Sequence, residues 1–238
     1  MRVGTKSVLF GAHCFLLHSF FVAAAWWTLY GFPRDLRLWV AFFVHDIGYI
    51  GKPNMDGAEG ETHVELGARI MRRLFDRKPY RTERIVWGPA EGGAHWQYNT
   101  AALRPWLEDG WFVIGRPAHF IEGPGLKLKR YHYYWSDFCR YHSRFYAKRD
   151  GVKFSRLCVA DKLSICLTPW WLYLPMVNAS GEVHEYIAKV ADGKYSTMNV
   201  STASQRVWYK SMQDYLRRWV EEHKDGRDDT WTPAQGAK

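Results

Sequence analysis

The chain has 238 residues, 47% of them hydrophobic and 24% charged, a globular balance that excludes disordered, collagenous and coiled-coil architectures. Thirty-three Lys and Arg against 24 Asp and Glu give a formal charge of +9, which favours anionic partners (phosphorylated small molecules, nucleic acid or an acidic membrane face) without choosing among them. The four cysteines, Cys14, Cys139, Cys158 and Cys166, form no C-x-x-C pair, so free thiols in a reducing, cytoplasmic setting are expected.

In chain order, Arg2 and Lys6 precede the apolar stretch Val8 to Phe32, which has the length of a signal peptide or a membrane span. His13 and His18 interrupt it and no small-residue cleavage site follows, so the stretch reads as a buried helix of a core and no membrane partner is expected. Apolar residues at i, i+3, i+4 spacing predict helices over 8–30, 35–47 and 62–76. Thr62 and Glu65 have the form of a capping box for the third, with Leu66, Ile70 and Leu74 on one face. A Gly-rich loop, 48–60, joins the second and third helices. Residues 77–130 are dense in Gly and Pro and read as an insertion with little regular structure beyond strand-like pieces such as Trp111–Ile114. Helices are predicted again at about 131–148, at 156–167, at 170–174 after Thr168-Pro169, and at 204–223, before a polar tail that frays from Lys224. The expected architecture is one all-α domain: a core of 8–76 and 131–167, the insertion, and a C-terminal helical extension over 170–223.

Chemistry enters where polar groups lie inside apolar helices, because an unpaired polar group there costs free energy. His45 and Asp46 close the run Trp39 to Val44, Asp161 sits within Leu157 to Leu163, and His18 lies within Leu16 to Ala23. Four such groups on three helices can share one desolvation penalty by meeting around a divalent cation, since imidazoles and carboxylates together suit Mn, Fe, Co, Ni or Zn. His13 competes with His18 for the first position; five residues turn a helix by about 500°, so the two cannot face the same way.

These residues resemble the HD-domain superfamily of metal-dependent phosphohydrolases, whose pattern is His, then His-Asp, then a distant Asp on separate helices. His18 to Ala23 has the H-x-x-x-V-A form, His45-Asp46-Ile47-Gly48 the central doublet, and Ala160-Asp161-Lys162-Leu163 the last position. His63-Val64-Glu65-Leu66-Gly67 resembles the H-P-E-L-G helix start of the two-metal branch, and His142 stands where an additional ligand would come from. The resemblance implies an HD-like helical core and metal-assisted hydrolysis of a phosphoester or phosphoanhydride of a nucleotide or other small molecule. One or two ions (Mn2+, Fe2+, Mg2+, Co2+, Ni2+ or Zn2+) would be held by His18, His45, Asp46 and Asp161, and by Asp46, His63 and His142. Asp46 would serve both. Lys52, Arg69, Arg73, Arg144 and Lys162 are the cations expected near substrate phosphate, with the loop 48–60 offering backbone N–H groups. The tripeptide G-Y-P of cyclic-di-GMP phosphodiesterases is absent, and Tyr49 stands where one nucleotidase branch has a carboxylate. The competing expectation is a catalytically silent, regulatory HD-like module that offers the basic aromatic stretch Lys127 to Trp135 to nucleic acid.

Overall fold

A computed structural model describes residues 1–56, 58–77, 134–190 and 201–231, together with the backbone alone of Ala191 and of four strands between 81 and 133. The body is all-α. Its helices are α1 Val3–Phe10, α2 Leu17–Tyr30, α3 Leu36–Val44, α4 Val64–Phe75, α5 Trp135–Arg140, α6 Arg144–Arg149, α7 Arg156–Leu167, α8 Trp170–Ser180, α9 Glu182–Ala191 and α10 Gln205–His223. Short 3-10 turns occupy Ile47–Tyr49 and Gly60–His63.

Local sequence explains several boundaries. Asp35 accepts from the Arg37 N–H at the start of α3, Ser143 from the Tyr146 N–H at α6, and Ser204 from the Val207 N–H at α10. Helix α8 stops at Gly181, whose φ of 88° a residue with Cβ rarely adopts. The core joins Val22, Ala25 and Trp26 of α2 to Ala41 and Phe42 of α3, Met71 of α4, Phe138 of α5, and Leu157 and Ala160 of α7. Deletion of any of these large side chains would leave a cavity costing about 2–5 kcal/mol.

Tertiary contacts overturn some of the sequence expectations. The helix expected over 8–30 is two helices, because the buried Glu182 carboxylate takes the Ala12 N–H at 3.0 Å in place of a helical acceptor. The outer face of α2 is also open to solvent at Leu17, Phe20 and Trp27. The capping box does not form: Thr62 Oγ donates to the Glu59 carbonyl, Glu65 accepts from Tyr146 Oη at 2.8 Å, and the cap residue of α4 is His63. Nor does the Leu66, Ile70, Leu74 stripe face the core. Helix α4 buries Val64, Gly67, Ala68 and Met71 instead, since Gly67 lets the helix approach the end of α3 so closely that a Cβ would overlap the Val44 carbonyl. The helix expected over 131–148 is interrupted at 141–143, where the Tyr141 carbonyl accepts from Ser155 N. Helix α8 continues past 174 to Ser180 with Pro175 inside it. The tail is held to Trp231: Asp229 Oδ1 accepts from Trp219 Nε1 at 3.2 Å, and the Trp231 ring lies 5.3 Å from that of Tyr215.

The insertion leaves and rejoins the body at one point. Asp76, closing α4, accepts from the N–H groups of Trp135 and Ser136 that open α5, at 2.8 and 3.1 Å. Between these ends the backbone pairs into an antiparallel sheet of β1 Arg81–Ala90, β2 Gly93–Tyr98, β3 Arg116–Gly123 and β4 Leu126–Tyr133, in the order β2-β1-β4-β3. The expectation of little regular structure is thus corrected over these strands. Pro89 and Pro117 flank irregularities in register, and Pro117 lies on an edge strand, where a missing N–H is tolerated. Trp111–Ile114 lies outside the described residues.

Candidate metal centre

Six side chains from five separate segments meet under the surface. His18 is one residue into α2, His45 caps α3, Asp46 opens the first 3-10 turn, His63 ends the second, His142 sits in the turn between α5 and α6, and Asp161 is midway along α7. All six are buried. They form two sets whose ligand atoms lie within 4.8 Å of one another: His18, His45, Asp46 and Asp161, then Asp46, His63 and His142.

Asp46 belongs to both sets through different oxygens. Its Oδ2 lies 3.2 Å from both His18 Nε2 and His45 Nε2, while its Oδ1 lies 3.1 Å from His142 Nε2 and 3.5 Å from His63 Nε2. His18 Nε2 is 3.1 Å from Asp161 Oδ1, and the other Asp161 oxygen accepts from Lys162 Nζ at 2.6 Å.

The donor chemistry fits divalent ions. The Nδ1 atoms of His45, His63 and His142 lie 2.9, 2.8 and 2.6 Å from the carbonyl oxygens of Phe42, Gly60 and Cys139. Each Nδ1–H therefore donates to backbone, which aims Nε2 inward, the arrangement that orients ligating imidazoles. The facing nitrogens come as close as 3.3 Å for His18 and His45 and 3.1 Å for His63 and His142. Asp46 Oδ2, although flanked by two imidazoles, makes no hydrogen bond. Lone pairs converging in a buried space are repulsive unless a cation or protons lie between them.

Protonation follows the same geometry. Burial opposes a charged His45, but the Asp46 and Asp161 carboxylates outweigh it and push the imidazole up to about 10. Burial and the neighbouring His142 bring His63 down to about 3. Against the cost of burial, the surrounding imidazoles hold Asp46 well below the usual carboxylate range, and Lys162 with His18 and His45 does so for Asp161. A divalent ion at His45 must displace its proton, so below about pH 10 affinity at that set should rise about tenfold per pH unit. Calorimetric titration with Mn2+ at pH 6.5 and 7.5 checks this; equal affinities at the two values would show that no proton leaves His45 on binding.

The surroundings separate the other candidate residues. A cavity of about 180 Å³ reaches His18, Asp46, His63, His142 and Asp161, and is also lined by Ser143, Arg144 and Lys162. Arg144 is buried, donates to Tyr215 Oη at 3.3 Å and lies over the Trp219 ring. Lys52 does not line the cavity: its ammonium binds Thr62 Oγ within the second 3-10 turn. Arg69 and Arg73 point from α4 into solvent. The loop 48–60 uses its N–H groups internally, Gly51 on Thr5 Oγ, Met55 on Glu185 and Gly60 on Asn54, so these three are not directed at an anion. His13 is outside both sets; its Nδ1 faces Ser7 Oγ at 2.9 Å and Glu182 at 3.3 Å. The side chains of His95, His119, His132 and Lys127 to Tyr133 lie outside the described residues.

Two participants had no motif to announce them. The Tyr49 ring stacks on His63 at 4.0 Å with the planes 9° apart, fixing the imidazole. Glu61 accepts from Ser143 Oγ at the cavity wall, and burial together with Asp56 raises its carboxyl to about 7. Gly48 is equally necessary, because a Cβ there would overlap the His63 carbonyl. Gly48→Ala is expected to shift the 60–63 turn, cost about 1–3 kcal/mol in thermal unfolding and weaken ion binding at the His63 set more than at the Asp161 set. Unchanged metal binding and unchanged unfolding temperature would contradict this.

Compared with protein-family models, with curated proteins and with solved structures, the chain matches none. The helical body and the buried His/Asp cluster are compatible with an HD-like domain on their own geometry.

Proposed function

We propose that this chain is an HD-type, metal-dependent phosphohydrolase that hydrolyses a phosphoester or phosphoanhydride of a small molecule such as a nucleotide. The observation that carries the reading is Asp46, which turns one oxygen to each of two buried histidine sets at the end of a cavity. Bound divalent ions would supply Lewis-acid polarisation of a phosphoryl oxygen and a water of lowered pKa.

The remaining work falls to the chain. Arg144 and Lys162 bring positive charge to the cavity beside His142 and Asp161, where they would bind the phosphoryl oxygens. Lys162 also holds Asp161 Oδ2, leaving Oδ1 directed at His18. Tyr49 and the three backbone carbonyls keep the imidazoles in place, so little reorganisation is needed when substrate arrives.

The test is turnover of p-nitrophenyl phosphate and a nucleotide panel by protein loaded with Mn2+. Phosphate release is expected, lost on chelation and regained on adding metal. No release from any ester by protein shown to carry metal would sink the reading.

A further inference from the structure

The cavity continues from the ligands onto a wall that belongs to the C-terminal helices. Ile165 stands one turn beyond Asp161 on α7, about 6 Å along the axis. Around it come Tyr173 of α8, Tyr186 and Val190 of α9, and Trp208 and Met212 of α10. These rings are fixed before any ligand arrives. Tyr173 stacks on Tyr209 at 4.3 Å, Tyr186 lies parallel to Trp208 at 6.0 Å, and Tyr186 Oη donates to the buried Glu182 at 3.1 Å.

Charge is distributed unevenly. The lining cations, Arg144 and Lys162, each neighbour a ligand residue, while among the described residues no Lys or Arg from α8 to α10 lines the cavity. Two carboxylates, Asp56 and Glu61, also line the cavity, the first paired with Lys189 at 3.2 Å. Such a site has means to hold one phosphoryl group and a flat remainder that carries no negative charge. A volume near 180 Å³ is of the order that takes an aromatic ring, since an engineered cavity of about 150 Å³ takes up benzene.

Resting on the phosphohydrolase reading, we infer that the wall formed by α8, α9 and α10 selects the leaving group: the substrate is a phosphomonoester whose alcohol carries a single flat, uncharged ring system of phenyl to nucleobase size. Stacking and burial against preorganised rings favour it over an aliphatic ester.

Two matched pairs of probes test this. Benzylphosphonate and ethylphosphonate, which lack a scissile P–O–C bond, are titrated into Mn2+-loaded protein by calorimetry; benzyl phosphate and ethyl phosphate, whose alkoxide leaving groups are alike, are compared as substrates. Benzylphosphonate should bind at least tenfold more tightly, and benzyl phosphate should show a kcat/KM at least tenfold higher. Val190→Trp and Ile165→Trp, each filling the chamber from a different helix, should bring both ratios towards one in protein whose circular dichroism is that of the parent. Equal binding of the two phosphonates, or ratios unchanged in both folded variants, would overturn the inference even if both esters are hydrolysed. Tight benzylphosphonate binding with neither ester hydrolysed would overturn the hydrolase and leave the chamber standing.

Discussion

Asp46→Ala is expected to lower hydrolysis by at least about a thousandfold, a barrier increase of roughly 4 kcal/mol. Among the described residues no other faces both histidine sets, so its loss removes a donor from each at once. Elemental analysis should show both ions depleted at metal concentrations that saturate the parent. The helical circular dichroism should survive, because Asp46 stands at the mouth of a 3-10 turn and the packing of α2 on α7 runs through apolar side chains. Activity within about tenfold of the parent would rule Asp46 out as a ligand to a working metal.

The second large effect is an asymmetry of metal count. The parent should bind two ions per chain. His63→Ala and His142→Ala should each lower the count towards one, because each leaves its set with a single imidazole and one Asp46 oxygen. His18→Ala should weaken the other ion, since His18 Nε2 is the atom drawn between Asp46 and Asp161. One ion in the saturated parent, with His63→Ala and His142→Ala titrating identically to it, would leave a single-ion centre.

How much of this was legible in the sequence depends on where each residue lies. His18, His45, Asp46 and Asp161 stand out because they interrupt apolar helices, where burial alone demands a partner. His63 and His142 sit in polar surroundings at turns; only resemblance to a family pattern pointed to them, and their burial comes from the packing of α4 against α5 and of Tyr49 against His63. Charge gave poorer guidance. Lys52, Arg69, Arg73, Arg144 and Lys162 look alike as letters, yet only Arg144 and Lys162 reach the cavity, since helix rotation and the 3-10 turn decide the direction. Helix boundaries failed where a distant group intervened, as Glu182 does at Ala12, across 170 positions. The chamber of α8 to α10 was visible only as apolar helical spacing, which states that a face is covered and not by what.

The clasp at Asp76, which ties the end of α4 to the start of α5, bears on how the chain reaches its native state. Every ligand set draws from both sides of the insertion; Asp46 and His142 meet across 96 positions. Loop-closure entropy must be met before such contacts stabilise anything, so they are expected to form late in refolding. The entropy grows only slowly with length, about 0.6 kcal/mol per doubling, so the number of residues beyond the clasp matters less than the clasp itself. Weakening Asp76 would therefore slow refolding more than shortening the segment would speed it, and the recovery of metal-binding capacity would mark the moment at which the two halves of the body come together.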